Sequence, residues 1–314
     1  MRLTHSGNHI PCSGRFKTGR ENGRAPVGPV LRAGKTHGVT AQAVLRRAPC
    51  GGSAAFLVSA SDGLRYWCKV INNPLHPKVP VNEQLVSRLG RLLGAATCDS
   101  DLVMIPEALA GWEFRKGYHL KPGWAHGSVA LDIIGETRSV PAFLSRGNPK
   151  RYAGFYALYD WLVGSNPHWL VGMNEERFCS SHDHGEYFPG GPGWTIESIE
   201  SHGREPAELP FISGLLDPRE VLRLARSLEA VTEATLQSIV ASLPPEWPVT
   251  DDELRALLVF LLERRVAVAQ RLRHIAAAFL STAEVSASRR RILRSVRCGA
   301  TIGTHNDEFG NSDP

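Results

Sequence analysis

No stretch of this chain reaches the roughly 20 uninterrupted apolar residues that a membrane-spanning helix needs. Its start, Met-Arg-Leu-Thr-His-Ser-Gly, also lacks the apolar core of a secretory signal. Both absences lead to the expectation of a cytoplasmic protein. The six cysteines, Cys12, Cys50, Cys68, Cys98, Cys179 and Cys298, stand singly. With no C-x-x-C pair among them, a zinc ribbon or dithiol redox motif is disfavoured and reduced thiols are the simple reading. Internal repeats and heptad arrays are missing as well.

A surplus of positive charge is missing from the middle of the chain, although the formal net charge is +5. Residues 1–37 carry +6 and residues 289–314 carry +2, which leaves the stretch 38–288 at −3. A basic groove for nucleic acid is therefore not expected in the folded body. The terminal arms are the segments suited to salt-sensitive contacts with phosphate or anionic lipid. The rest of the composition, 42% hydrophobic and 21% charged over 314 residues, is that of a soluble protein large enough for two lobes.

Residues 1–37 are rich in Gly, Pro, Asn and Arg, show no strand or helix period, and read as a flexible basic leader. From about Val39 structure is expected. The apolar runs Ser53–Ala60 and Leu64–Ile71 flank Ser61-Asp62-Gly63, and Asp-Gly between such runs predicts an antiparallel hairpin. Asn82 is placed to cap a helix that carries Leu85, Val86, Leu89, Leu92 and Leu93, ends at Gly94 and lays its apolar face on the hairpin. Leu102–Ile105 and Glu113–Leu120 read as short strands. The second half reads as mainly helical. Tyr152–Val163 presents Phe155, Leu158, Tyr159 and Leu162 on one face. Asp217-Pro218-Arg219-Glu220 opens a helix to about Ala241, and Thr250-Asp251-Asp252-Glu253 is a capping box ahead of a segment running to about Leu280. Beyond it, residues 281–314 read as a flexible tail containing Arg289-Arg290-Arg291.

Four elements are candidates for chemistry. Gly51-Gly52-Ser53 precedes a strand, where small residues let backbone N–H groups approach a phosphate; a plain turn is the competing reading. Lys69 shares a strand face with Trp67 and Ile71, and a lysine among apolar neighbours calls for an anion. In a nucleotide site that anion is the triphosphate, with Glu83 holding the ammonium as in kinases. The alternative is an edge-strand lysine whose charge reaches out to water. Asp183, within His182-Asp183-His184-Gly185, suits a hard ion such as magnesium. A zinc site built from Cys179, His182 and His184 competes with this, but lacks a regular ligand set. Finally, Asp160 ends a helix before Ser165-Asn166-Pro167-His168, where His168 is either a substrate-binding or basic residue or a turn histidine packed beside Trp169.

Taken in order, Gly51-Gly52-Ser53, the Asp62-Gly63 hairpin, Lys69 with Asn72-Asn73-Pro74, Asn82-Glu83 and Asp183-His184-Gly185 resemble the motif series of HipA-like kinases. Gly123-Trp124-Ala125-His126-Gly127-Ser128 and Leu243-Pro244-Pro245-Glu246-Trp247 resemble connecting segments of the same group. The resemblance implies an α+β, two-lobed, protein-kinase-like fold. Its N-lobe, about 38–110, is a small antiparallel sheet with one helix, and its C-lobe, about 111–280, is mainly helical. It also implies ATP and Mg2+ as cofactors. Gly51, Gly52 and Ser53 would cover phosphate, Lys69 would contact it, Glu83 would position Lys69, and Asp183 would hold the metal. The expected acceptor is a serine or threonine of a protein partner. One departure stands out: the family's catalytic-loop Asp is absent from Ser165-Asn166-Pro167-His168, which leaves Asn166, His168 and the upstream Asp160 as candidates for its role. The alternatives are a catalytically impaired pseudokinase acting as a nucleotide-binding or regulatory module, and a lipid or small-molecule kinase.

Overall fold

The computed structural model describes residues 30, 36–49, 51–138, 147–173, 177–207 and 214–299, with side chains described up to residue 279 and at residue 281. Most of the expected leader, the chain from 300 onward and the side chains of Arg289, Arg290 and Arg291 lie outside the described residues.

The first strand, Val39–Arg47 (β1), begins where the sequence reading placed the onset of structure. The predicted hairpin follows: Phe56–Ala60 (β2) pairs antiparallel with Arg65–Lys69 (β3), Phe56 opposite Cys68 and Ser59 opposite Arg65. Asp62 shapes the turn. Its carboxylate accepts hydrogen bonds from Leu64 N at 3.0 Å and from Tyr66 OH at 2.6 Å. Gly63 adopts φ +83°, a region that glycine enters without steric penalty.

The helix Val79–Leu93 (α1) comes next, but Asn82 does not cap it. The helix begins one turn earlier, with Lys78 as the flanking residue and Pro80 in the first turn, where its missing N–H matters least. Gly94 closes it at φ +72°, as expected. Its apolar face also differs from expectation: Val81, Leu85, Val86, Leu89 and Leu93 join the larger core shared with the later helices rather than the hairpin. The helix is wedged between two halves of the molecule, so polar positions on it, including Asn82, Glu83, Gln84 and Ser87, are buried too.

Ser100–Ile105 (β4), a small ribbon of Glu113–Arg115 (β5) and Tyr118–His119 (β6), and Gly123–Val129 (β7) complete this half. β7 lies between β3 and β4 and so takes the sheet past residue 110. The expected small antiparallel sheet is instead a closed barrel in the order β1-β2-β3-β7-β4. A parallel contact, Val39 with Val103 and Thr40 with Met104, shuts it. Closure has a local cause. β1 pairs with β2 through two register shifts, and bulges of that kind bend and twist a strand toward the far edge. Phe56, Val58, Tyr66, Cys68, Val103, Ile105 and Ala125 fill the interior.

The second half holds Ile133–Thr137 (β8), Asn148–Leu162 (α2), His168–Gly172 (β9), Cys179–His182 (β10), Ile196–His202 (α3), Pro218–Ala230 (α4), Glu233–Ala241 (α5) and Asp251–Gly299 (α6). It is mainly helical, as expected, but carries an antiparallel sheet in the order β10-β9-β8 that the sequence reading missed. Asp217 caps α4 by accepting from Arg219 N and Glu220 N at 2.9 Å each. The single helix predicted to Ala241 is two, because Val231 and Thr232 are extended and Thr232 caps α5 afresh. The Thr250–Glu253 capping box forms, with Thr250 N donating to Glu253 Oε2 at 2.8 Å and Glu253 N to Thr250 Oγ1 at 3.2 Å. The backbone of α6 stays helical past residue 280, to Gly299. Among the described residues no helix is long and apolar enough to cross a membrane.

Candidate functional site

β3 is an interior strand of the barrel, paired with β2 on one side and β7 on the other. Lys69 at its end is 7% exposed, so the edge-strand alternative does not hold. An ammonium removed from water must be paired to persist. Two carboxylates meet it: Nζ donates to Glu83 Oε1 from α1 and to Asp183 Oδ1 from the turn after β10. Burial alone would lower the lysine pKa, but Asp183 and Glu83 outweigh it and raise the pKa above the ordinary lysine value. Asp183 is correspondingly held well below the usual carboxylate range, chiefly by the Lys69 charge. Burial pushes Glu83 upward, and Lys69 together with the neighbouring His184 and His126 more than offsets it.

Backbone geometry aims these groups. Asp183 sits at φ +57°, a left-handed conformation uncommon for a non-glycine residue and one that is found at functional turns. Gly185 lets the turn lie against α1. A Cβ there would fall 2.9 Å from Val79 Cγ1 and 3.5 Å from Glu83 Oε1. Asn82, buried in α1, then fastens the turn: its Nδ2 donates to Gly185 O at 2.8 Å and Tyr187 O at 3.1 Å, while its Oδ1 accepts from Trp194 Nε1 at 2.8 Å. One turn earlier, Lys78 Nζ ties α1 to Trp194 O at 2.7 Å and to Glu253 Oε1 at 2.5 Å.

Ser53 is buried and its Oγ donates to Asp183 Oδ1 at 3.3 Å, which brings it into the same cluster. Asn73 Nδ2 holds the Ser53 carbonyl at 2.6 Å, so the Asn72-Asn73-Pro74 segment supports that loop. Gly51 and Gly52 are exposed beside it, and a Cβ on either would meet nothing within 4 Å. Gly51 O accepts from Arg115 Nη1 at 2.7 Å.

Two buried histidines flank Glu83. His126, across the strand pair from Lys69, has Nε2 4.0 Å from Glu83 Oε2, and His184 Nδ1 lies 3.7 Å from the same oxygen. His126 is fixed by Gln84 at 2.8 Å and Ser128 Oγ at 2.9 Å, and His184 Nε2 by Ser181 Oγ at 2.8 Å. Burial lowers both to about 4. At neutral pH they are uncharged dipoles packed around the glutamate.

The catalytic candidates separate. Asp160 is 1% exposed and committed elsewhere, to Arg264 Nη2 at 3.2 Å, Arg271 Nε at 2.7 Å and Ala207 N at 3.0 Å. It does not join Lys69 and Asp183. Asn166 occupies an exposed turn at φ +49°. His168 does reach the site. Its Nδ1 lies 3.8 Å from Asp183 Oδ2 and 2.6 Å from Glu136 Oε1 on β8.

The zinc alternative is not assembled as expected. Cys179 and His182 point to opposite faces of β10, Cys179 Sγ packs 3.8 Å from Tyr152 OH, and His184 is engaged with Ser181. Among the described residues the set that clusters is Glu136, His168 and His182, with donor atoms within 4.8 Å of one another. Sequence reading missed Glu136, which has no motif around it. It also left His126 without a role, although alternation along Gly123–Ser128 places it on the same strand face as Trp124, opposite Ala125.

No family model matches the chain, and no curated protein matches it in sequence. Among solved structures it is similar to the crystal structure of the Golgi casein kinase with Mn/ADP bound, at 11% identity and a TM-score of 0.39. That match covers 78% of this chain and 73% of the other.

Proposed function

We propose that this protein is an ATP- and magnesium-dependent phosphotransferase of the HipA-like kind, acting on a serine or threonine of a protein. The supporting observation is the buried ammonium of Lys69, held by Glu83 from a helix and Asp183 from a distant turn. A lone structural ion pair needs one carboxylate. Here a lysine with three N–H donors has two carboxylate partners, and a phosphate is the natural third. In this reading Lys69 binds the phosphates, Glu83 fixes its direction, and Ser53 with Gly51 and Gly52 lies over them. Asp183, with 27% of its side chain exposed, is accessible enough to share a hard cation with phosphate oxygens. A magnesium ion bound there supplies charge neutralisation for the transferring group.

A second reading, a nucleotide-binding regulatory module, is favoured by one observation. No carboxylate stands in the Ser165–His168 turn, and Asp160 is sequestered by Arg264 and Arg271. Transfer would then rely on positioning and electrostatics without a strong base.

A thermal-shift titration with ATP, with and without magnesium, tests the site. Ligand at about 100 times its dissociation constant stabilises the folded state by about 2.7 kcal/mol. A magnesium-dependent rise that Lys69→Ala abolishes is expected. Radiolabel transfer to protein, lost in Asp183→Asn, then separates the transferase from the module. No shift under any condition would refute nucleotide binding at Lys69.

A further inference from the structure

On the far side of Asp183 from Lys69, the missed sheet gathers a different set of donors. Glu136 from β8, His168 from β9 and His182 from β10 stand on three neighbouring strands with their donor atoms within 4.8 Å of one another. We propose that Glu136, His168 and His182, with Asp183 beside them, bind a first-row transition-metal dication of the zinc class.

The distances support this. Tetrahedral zinc with N and O ligands at about 2.1 Å spaces neighbouring donors about 3.4 Å apart. His182 Nε2 lies 3.5 Å from Glu136 Oε1, while Asp183 Oδ2 stands 3.8 Å from His168 Nδ1 but outside the group of mutually close donors. The pair closer than that, His168 Nδ1 and Glu136 Oε1 at 2.6 Å, is joined by a hydrogen bond, and an ion would take the place of the shared proton. Glu136 can open to admit it, since 42% of its side chain is exposed. His168 is held almost fully out of solvent, and its Nε2 has no hydrogen-bond partner among the described residues. With Nδ1 turned to Glu136 and Asp183, the neutral tautomer that carries its proton on Nε2 leaves the Nδ1 lone pair for the metal. His182 Nε2, a buried atom, has among the described residues no partner closer than Glu136 Oε1 at 3.5 Å. A buried nitrogen without a partner is costly unless something else fills the role.

The donor chemistry sets the class of ion. Magnesium selects oxygen ligands and retains its waters, whereas two imidazoles with carboxylates favour zinc and its first-row neighbours. His168 would then be a metal ligand and not a general base.

The test uses the full chain, stripped with a chelator and titrated with Zn2+ alone against a chromophoric competitor. A parallel titration with Co2+ is read by its visible ligand-field absorption. We expect one site that excess Mg2+ does not displace. Glu136→Gln and His182→Gln should each weaken it by at least about tenfold and change the cobalt spectrum. Cys179→Ser should leave both readouts unchanged. Circular dichroism of Glu136→Gln, a substitution at a largely accessible side chain, checks that the fold survives. Absence of stoichiometric zinc, displacement by Mg2+, or wild-type affinity in both ligand variants would overturn the proposal. The nucleotide reading is tested separately: Lys69→Ala, expected to abolish the ATP shift, removes none of the three principal ligands.

Discussion

Two buried carboxylate–cation clusters lie in this molecule, and they are built to different ends. In one, Asp160 accepts from Arg264, from Arg271 and from Ala207 N. Arg264 uses its remaining donors on the carbonyls of Asp160, Trp161, Gly203 and Glu205. All five Arg264 donors and both Asp160 carboxylate oxygens are engaged there, so the buried heart of the cluster has no capacity for a ligand. In the other, Lys69 meets two carboxylates, one of them partly exposed and set on a left-handed backbone, beside His168 Nε2, which has no hydrogen-bond partner among the described residues. A saturated cluster locks α2 to α6, whereas an unsaturated one is suited to receive something. Burial and charge alone do not distinguish them; the count of unmet hydrogen-bonding capacity does.

The largest expected effect tests the saturated side. Arg264→Ala takes the donor from the carbonyls of Asp160, Trp161, Gly203 and Glu205 and leaves Asp160 with Arg271 as its one cation, and should destabilise the fold by about 3–5 kcal/mol in urea denaturation. Below the melting temperature the variant should still show the Mg·ATP shift. Loss of that shift with the fold intact would move Asp160 into the working site and erase the contrast.

Acid should act on the unsaturated side. His126 and His184 are lowered by burial from 6.5 to about 4, so in the unfolded chain they take up protons at a pH where the folded chain does not. Between pH 6.5 and 4 the unfolded state thus binds more protons, and stability falls as pH falls through that window, being fully present above it. One such group corresponds to roughly 3 kcal/mol across the window. Glu83 and Asp183, both depressed, add a further loss that sets in as pH falls through the ordinary carboxylate range, where the unfolded chain takes up protons first, and is complete only below their folded values. Urea midpoints between pH 7.5 and 4.5 should show the decline, and His184→Gln should flatten it. An unchanged slope would mean that His184 titrates freely in the fold.

Asn82→Ala comes next. It removes the link from α1 to Gly185 O, Tyr187 O and Trp194 Nε1, and should lower stability by about 1–3 kcal/mol. Because the lost bonds hold the Asp183 turn, the ATP shift should shrink as well. A stability loss with full ATP response would show that the turn keeps its place without Asn82.

How far the sequence exposes all this depends on the length scale of each signal. The hairpin, the Asp217 cap and the Thr250–Glu253 box were readable because Asp-Gly and S/T-x-x-E act within a few residues. Lys69, Glu83 and Asp183 were singled out through an ordered motif set. Their convergence, across more than a hundred residues of chain, is a tertiary fact. Asn82 misled because Asn is a good cap in isolation, whereas here long-range acceptors in the Gly185 turn claim its side chain. Barrel closure was hidden in bulges on β1, a strand with mostly exposed side chains. The β8–β10 sheet escaped because Cys179-Ser180-Ser181-His182 has no apolar alternation. With that sheet went Glu136.

The smallest effect on stability gives the sharpest comparison. Gly52 has no positive φ, and a Cβ on it would meet nothing within 4 Å, so the folded protein has no structural need for glycine there. Gly52→Ala should change stability by no more than about 0.5 kcal/mol, like other exposed substitutions. Should the loop ahead of β2 lie over a phosphate, the added methyl stands where backbone N–H groups must approach an anion, and the affinity for Mg·ATP should fall severalfold. Isothermal titration beside urea denaturation reads both quantities. Equal ATP affinity in wild type and variant would make Gly51-Gly52-Ser53 a turn, with Ser53 serving only as a hydrogen-bond donor to Asp183. A selective loss would show that the open space over the glycines is kept for the ligand.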